Sequence, residues 1–409
     1  MGLLAGAVSL IAQTTIAIAP PIRRIMPLRG CCHPLAVVIS PKKHYRKDSR
    51  GSDKASVSTT GNFRKRLSSL HRRSLETQCN SDLIPWRDNI EPGCYHDFVS
   101  SRPWHSIDDF YAKLIRGNPE AVDLGFLAKP NFPTDKPRPQ NKQTKAMYYV
   151  LGIAYDGSAY ESFALNRKID SVVGRIKTQM RACFGKSWQI MVSGRTDRGV
   201  HGWGQILSFK TPDDLDLDAL AKAIYADSDG KIRVWNSARS FSAWSDTKWR
   251  EYVYLFPLTD TEVERKHQIC GSAQKLFDTV LNKSLSYDAF ARRVKQRPDP
   301  DGKDLCTLYE AEVSAVDLGG GTTAIRIRLR GNRFLRQMVR VLVGTVMWDA
   351  CGNPWVWSDI PELAGMRPSS LLTRLSATHN RTFTAPPAPP NGLALASVDY
   401  GNDDYEGSS

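Results

Sequence analysis

The sequence lacks the short motifs that announce a cofactor enzyme. No CxxC pair and no Cys/His cluster with zinc spacing occurs, so a zinc site has no candidate ligands. The phosphate-cradling GxxxxGK[ST] loop and the GxGxxG dinucleotide fingerprint are both missing, which removes the commonest nucleotide-binding enzymes. Eight cysteines are scattered through 409 residues. That is too dispersed for a disulfide framework, and they read as reduced thiols in a reducing compartment. Acid is scarce at the amino terminus. Residues 1–80 hold 14 Lys and Arg against Asp48, Asp53 and Glu76, so +11 of the net charge of +14 sits there and the remainder carries only +3. Bulk charge therefore says little about what the folded part binds; local patches must carry that argument. Long hydrophobic runs are also few. Gly2–Ala19 reaches only the lower edge of a bilayer-spanning length and contains Gln13, Thr14 and Thr15.

What is present falls into an extension and a globular part. Residues 1–80 combine the apolar opening with a basic, Ser-rich, acid-poor stretch, the composition of an organellar presequence. This points to a plastid or mitochondrion, with cytoplasm or nucleus as the alternative, and to a mature form without a membrane anchor. Residues 81–143 are polar and proline-punctuated ("KPNFPTDKPRPQNKQTK") and read as a linker in which "SIDDFYAKLI" makes one short helix. Residues 144–258 read as a first domain, 259–401 as a second α/β domain, and 402–409 as a tail. "MYYVLGIAYDG", "GQILSFKT", "REYVYLFPL" and "LYEAEVSAVDL" have strand texture. "DSVVGRIKTQMRACFG", "DLDALAKAIYA" and "AQKLFDTVLN" have helical apolar spacing. The layout is α+β, in α/β layers.

Two stretches carry chemistry. In "VSGRTDRGVHGWGQ", residues 192–205, Asp197 lies between Arg195 and Arg198 inside a bracket of glycines. Glycine supplies backbone conformations that other residues avoid, so this is a shaped loop. A carboxylate beside guanidiniums is a candidate nucleophile. The alternative is a surface turn with a local ion pair. The second stretch is "IRIRLRGNRFLRQMVR". Strand alternation puts Arg326, Arg328 and Arg330 on one face and Ile325, Ile327 and Leu329 on the other. Arg333, Arg336 and Arg340 then follow at helical spacing, so that they share one side of an amphipathic helix. Six arginines and no acid in residues 326–340 favour phosphate contact over an ordinary solvated face. Enclosed base chemistry on a basic platform implies a nucleotide drawn out of its stack. Tyr252 and Tyr254 in "REYVY" are candidates to stack on it, and core aromatics are the alternative.

Taken together, "IAYDGSAY", "SGRTDRGVHGWGQ", "REYVY", "SYDAFARR", "GNRFLRQMVRVLVGTV" and "APPNGLALASVDY" resemble, in order, the motifs of the TruA-type tRNA pseudouridine synthases. The resemblance runs from about Met147 to Tyr400. It implies a two-domain fold with mixed, largely antiparallel sheets and a central RNA-binding cleft. It implies conversion of uridine to pseudouridine in tRNA, in the anticodon stem-loop, by a homodimer that uses no cofactor and no metal. By the same resemblance Asp197 is the nucleophile, Tyr252 stacks on the base, Arg195 holds the extruded geometry and Arg340 pairs with Asp197. Arg198, His201, Arg326, Arg328, Arg330, Arg333 and Arg336 are the expected RNA contacts. The other reading on the same fold is a non-catalytic RNA-binding or RNA-chaperone protein. Three departures stand out. "YESFALN" lacks the family's glycine and glutamine after the first strand, Trp244 replaces an expected arginine, and Arg198 replaces a commonly small residue.

Overall fold

A computed structural model describes residues 94–117, 146–239, 247–292, 305–353, 355 and 370–400. The presequence-like extension, most of the expected linker, the tail and Trp244 lie outside the described residues.

Among the described residues nine strands form one continuous sheet, in the order β4-β1-β3-β9-β5-β8-β7-β6 with β2 on the side of β3. The strands are β1 (Met147–Tyr155), β2 (Met191–Val192), β3 (His201–Thr211), β4 (Ile232–Arg239), β5 (Trp249–Pro257), β6 (Ser284–Ser286), β7 (Leu305–Asp317), β8 (Thr323–Gly331) and β9 (Leu393–Asp399). Every pairing is antiparallel except β3 with β9, where His201 lies opposite Ala394 and Gly202 opposite Leu395. That parallel contact joins two helix-on-sheet halves.

In the first half, α3 (Val172–Phe184) and α4 (Leu217–Asp227) cover β1 and β3. Both begin on side-chain caps: Ser171 accepts from Gly174 N, and Asp216 from Ala219 N. Their apolar stripes, Val172, Val173, Ile176 and Met180 with Leu220 and Ile224, pack on Tyr149, Leu151, Ile153 and Tyr155. In the second half, α6 (Lys266–Asp278), α7 (Met338–Ala350) and α8 (Leu371–Thr378) cover Tyr252, Tyr254 and Phe256 of β5 and Ile325, Ile327 and Leu329 of β8. A short α5 (Asp260–Val263) leads into α6.

Helix α7 departs from the sequence expectation. It begins at Met338, after Gln337 in the left-handed conformation at φ 62°, and eleven of its thirteen residues are buried. It is a central helix rather than an amphipathic one. Arg333 and Arg336 precede it, in the segment between β8 and α7.

The expected linker holds the short helix read in "SIDDFYAKLI", but it is packed on the sheet and preceded by a second helix. Cys94–Ser100 (α1) and Trp104–Arg116 (α2) are helices. Ile107, Phe110, Tyr111 and Ile115 of α2 bury against Ala154, Val253, Leu255, Ala324, Ala394 and Ala396. Alternation along β5 puts Val253 and Leu255 opposite Tyr252 and Tyr254, and along β1 puts Ala154 opposite Ile153 and Tyr155. Helix α2 therefore crosses the β3–β9 seam on the face that the other helices leave open. Alanines make the shallow groove it lies in. Burial of each large side chain stabilises the docked arm by about 1.5–3 kcal/mol. Arg102 anchors it. Its guanidinium lies between the rings of Phe98 and Phe256, at 4.3 and 4.4 Å from their centroids. It donates to Pro257 O at 2.9 Å and pairs in a fork with the Glu262 carboxylate.

Candidate active site

The Asp197 loop leaves β2 and enters β3 at the seam. Its turn is closed by a hydrogen bond from Val200 N to Asp197 O at 3.2 Å. Gly199, third of the four turn residues, has φ +80°, which is the position where a type II turn demands glycine. A Cβ there would also lie 2.9 Å from Pro390 Cγ. The upstream end of the loop is tied down by side chains. Ser193 Oγ donates to Gln205 Oε1, Gln205 Nε2 donates to Gly194 O at 2.8 Å, and Arg250 Nε donates to Ser193 O at 2.9 Å.

The loop delivers Asp197 to a cleft of about 980 Å³. Two guanidiniums meet its carboxylate: Arg340 Nη1 at 3.6 Å from Oδ2 and Arg336 Nε at 3.8 Å from Oδ1. Arg340 is the buried member of the pair, with 11% of its side chain exposed, against 61% for Arg336. Burial pulls the Arg340 guanidinium below its ordinary pKa, while Tyr254 and Asp197 act in the opposite sense. Arg340 Nε also donates to Ala388 O at 2.7 Å, so its head group is held from two sides. Tyr252 lines the same cleft, edge-on to Phe334 with ring centroids 5.0 Å apart. Burial pushes its phenol up to about 12. At neutral pH it therefore keeps its proton, which suits a stacking platform better than a ready base.

The structure thus brings together Asp197, Arg340, Arg336, Arg333, Arg195 and Tyr252 around one cleft. Arg195 and Arg333 are exposed at its wall, and Arg198 is exposed beside the loop. Tyr254 goes elsewhere: it is fully buried and donates to Pro389 O at 2.7 Å. Two other groups of expected contacts are not brought in. His201 is fully buried, with its ring stacked on Tyr111 at 4.4 Å and Nδ1 3.4 Å from Asp156. Arg326, Arg328 and Arg330 lie on the sheet face opposite Tyr252. They are occupied by a ladder of carboxylates: Arg326 with Glu312, Arg328 with Glu310 and Glu312, and Arg330 with Glu310 and Glu251. The acids come from β7 and β5, so a count along residues 326–340 could not see them.

Sequence reasoning also passed over residues that build the site. Arg250 and Gln205 sit at the ends of quoted motifs without a role, yet they hold the loop. Residues 388–392 were quoted only for their texture. Among the described residues no group of three or more His, Cys, Asp or Glu could hold a metal ion. No described helix is long and apolar enough to cross a membrane.

A family profile described as tRNA pseudouridine synthase matches residues 287–401. That span contains Arg340 and β7 to β9 but not the Asp197 loop. The tRNA pseudouridine synthase A of Geobacillus kaustophilus is 28% identical over 260 residues, covering 61% of this chain and 92% of its own length. The protein of that name from Listeria welshimeri is 28% identical over 264 residues, covering 62% of this chain and 98% of its own length. Among solved structures, a Cbf5-Nop10-Gar1 complex is similar at 12% identity and a TM-score of 0.26, over 56% of this chain and 52% of that one. A mixed, largely antiparallel sheet with helices on it and a carboxylate loop at its seam is a pseudouridine synthase-type fold. These matches support the TruA-type tRNA pseudouridine synthase family for this chain.

Proposed function

We propose that this protein isomerises uridine to pseudouridine in tRNA, with Asp197 as the nucleophile. The observation that carries the reading is the Asp197 carboxylate, held within 4 Å of Arg336 and Arg340 in a cleft that Tyr252 also lines. The paired guanidiniums supply the compensating charge that a carboxylate needs in a partly enclosed site. Attack by Asp197 on the target nucleotide, at the sugar or the base, lets the N1–C1′ bond break. The freed uracil turns within the cleft and rejoins through a C5–C1′ bond. Asp197 is released, the C5 proton leaves, and N1 gains a proton. Tyr252 stacks on the extruded base during the turn, and Arg195 holds the extruded geometry from the rim. Arg333 and Arg336 meet the backbone phosphates beside the target.

The anticodon stem-loop is the proposed location of the target, as the family resemblance implies, and a homodimer without metal or cofactor is the proposed assembly. The composition of residues 1–80 supports import into a plastid or mitochondrion. Ala164 lines the cleft, and the neighbouring Leu165 is 47% exposed. Both lie in "YESFALN", so this departure from the family pattern acts on target choice and leaves the chemistry alone.

The test is pseudouridine mapping of total and organellar tRNA with and without the protein, followed by rescue with wild type or Asp197→Asn. The expected result is a site or sites that vanish and return only with wild type. Purified Asp197→Asn is expected to keep most of its tRNA affinity, because phosphate contacts lie elsewhere. Equal rescue by both versions overturns the nucleophile assignment. No changed site in any tRNA moves the non-catalytic RNA-binding reading to the front.

A further inference from the structure

The bacterial relatives, matched over nearly their whole length, fit within 62% of this chain. The arm formed by α1 and α2 is the segment that precedes the family resemblance. Its contacts do more than cover the alanine groove.

Two of them reach the Asp197 loop from behind. The Tyr111 ring stacks on His201, four residues after Asp197, with the planes 20° apart. His201 Nδ1 in turn meets Gly157 N at 3.3 Å and Asp156 Oδ1 at 3.4 Å. The turn that presents Asp197 is thereby fixed at its downstream end. Two more contacts reach residues 388–392. Tyr111 Oη donates to Gly392 O at 3.4 Å, and Asp108 Oδ2 accepts from Asn391 Nδ2 at 3.2 Å. That short segment touches Arg340 and the turn that carries Asp197. Pro390 packs on Gly199 of the Asp197 turn. Ala388 exchanges hydrogen bonds with Arg340 in both directions: Arg340 Nε donates to Ala388 O at 2.7 Å, and Ala388 N donates to Arg340 O at 2.9 Å. Buried polar atoms also gather at the junction. Asp108 Oδ1 and His201 Nε2 have no hydrogen-bond partner, a cost of about 1–3 kcal/mol each that a purely apolar cover would avoid. Burial raises the Asp108 carboxyl above its usual range.

We propose that the amino-terminal arm is part of the active-site scaffold, in which Tyr111 and Asp108 are positioning residues that set the Asp197–Arg340 geometry through His201 and through residues 388–392. The proposal rests on the reading of the cleft as a uridine isomerisation site, and it makes a structural statement that can be read without turnover.

The test uses the full chain with Tyr111→Leu, which keeps apolar bulk but loses the ring, and Tyr111→Phe, which keeps the stack. Asp108→Ala and Asn391→Ala are made singly and together. Hydrogen–deuterium exchange is read on peptides covering 194–202 and 385–392, and kcat and KM are read on tRNA carrying the mapped uridine. Tyr111→Leu is expected to speed exchange in both peptides and to lower kcat about 10- to 100-fold, since a displacement of about 1 Å at a reacting centre can cost 10²-fold. KM stays within about twofold, because the phosphate contacts are untouched. Tyr111→Phe restores wild-type exchange in 194–202 and most of kcat, and leaves only a small excess of exchange in 385–392 from the lost Oη bond to Gly392 O. The Asp108→Ala and Asn391→Ala losses are non-additive, as for partners in one contact. Unchanged exchange in both peptides overturns the proposal whether or not the protein turns over. So does a kcat loss that the unfolded fraction, measured by thermal melting, fully accounts for. Wild-type protein inactive on every tRNA sinks the isomerase reading alone, and the exchange readout then decides the scaffold.

Discussion

Arg326, Arg328 and Arg330 on one side, and Arg333, Arg336 and Arg340 on the other, belong to one unbroken run of basic sequence with opposite fates. The first three leave β8 on the face away from the cleft and are met by Glu251, Glu310 and Glu312. The last three come after the strand ends and line the cleft with Asp197. The difference is made by the neighbours, not the arginines. Strand alternation puts 326, 328 and 330 opposite Ile325, Ile327 and Leu329, whose face is committed to the helix layer. The adjacent strand then supplies one acid for nearly every arginine. Past Gly331 the chain leaves the strand, and among the described residues Arg336 and Arg340 meet Asp197 instead of the β7 carboxylates.

The comparison predicts graded effects. The largest belongs to Arg340, which holds both Asp197 and Ala388 O. Arg340→Met is expected to lower kcat about 10²- to 10³-fold, the scale of losing a preorganised charged group at a reacting centre. Single-turnover kinetics against tRNA affinity would check it, and a Kd that rises in step with the loss of kcat would reassign Arg340 to binding. Arg333→Ala and Arg336→Ala come next. Each is expected to weaken tRNA binding uniformly and to reduce the slope of log K against log[salt] by about 0.7–0.9, the value of one released counterion. A slope equal to wild type for both would remove them from the phosphate path.

The same contrast shows how much the sequence disclosed. Strand β8 was legible because alternation is a local property, and so was the catalytic-type loop, because Gly199 answers a local backbone demand. Helices α3 and α4 were legible from their caps and spacing. The pairing of the β8 arginines was not legible, since it depends on Glu310 and Glu312 falling in register on β7. The burial of His201 was hidden for the same reason: Tyr111 is 90 residues away in sequence. Helical spacing also carried the α7 reading too far upstream, because spacing alone does not reveal the left-handed Gln337 that starts the helix late. The docked arm had one local signal that went unused. In "LALASVD" Leu393 and Leu395 alternate with Ala394 and Ala396, a strand with a full face and a shallow face, and a shallow face admits a helix.

The smallest effect is expected at Arg328, and it is the one that tests the comparison most sharply. Arg328 lies between Glu310 and Glu312, with 27% of its side chain exposed and 43% of theirs. Such partly exposed pairs contribute under about 1 kcal/mol each. Arg328→Ala should therefore cost stability of about that size, visible as a small drop in the denaturation midpoint. Glu310→Gln should do the same without exposing an unpaired buried charge. Neither should move the salt slope of tRNA binding, because the face carries nearly balanced charge and points away from Asp197. An Arg328→Ala variant that loses as much salt dependence as Arg336→Ala would mean that RNA reaches both faces of the sheet. The carboxylate ladder would then be a resting state that RNA phosphates displace, and the division drawn at Gly331 would fail.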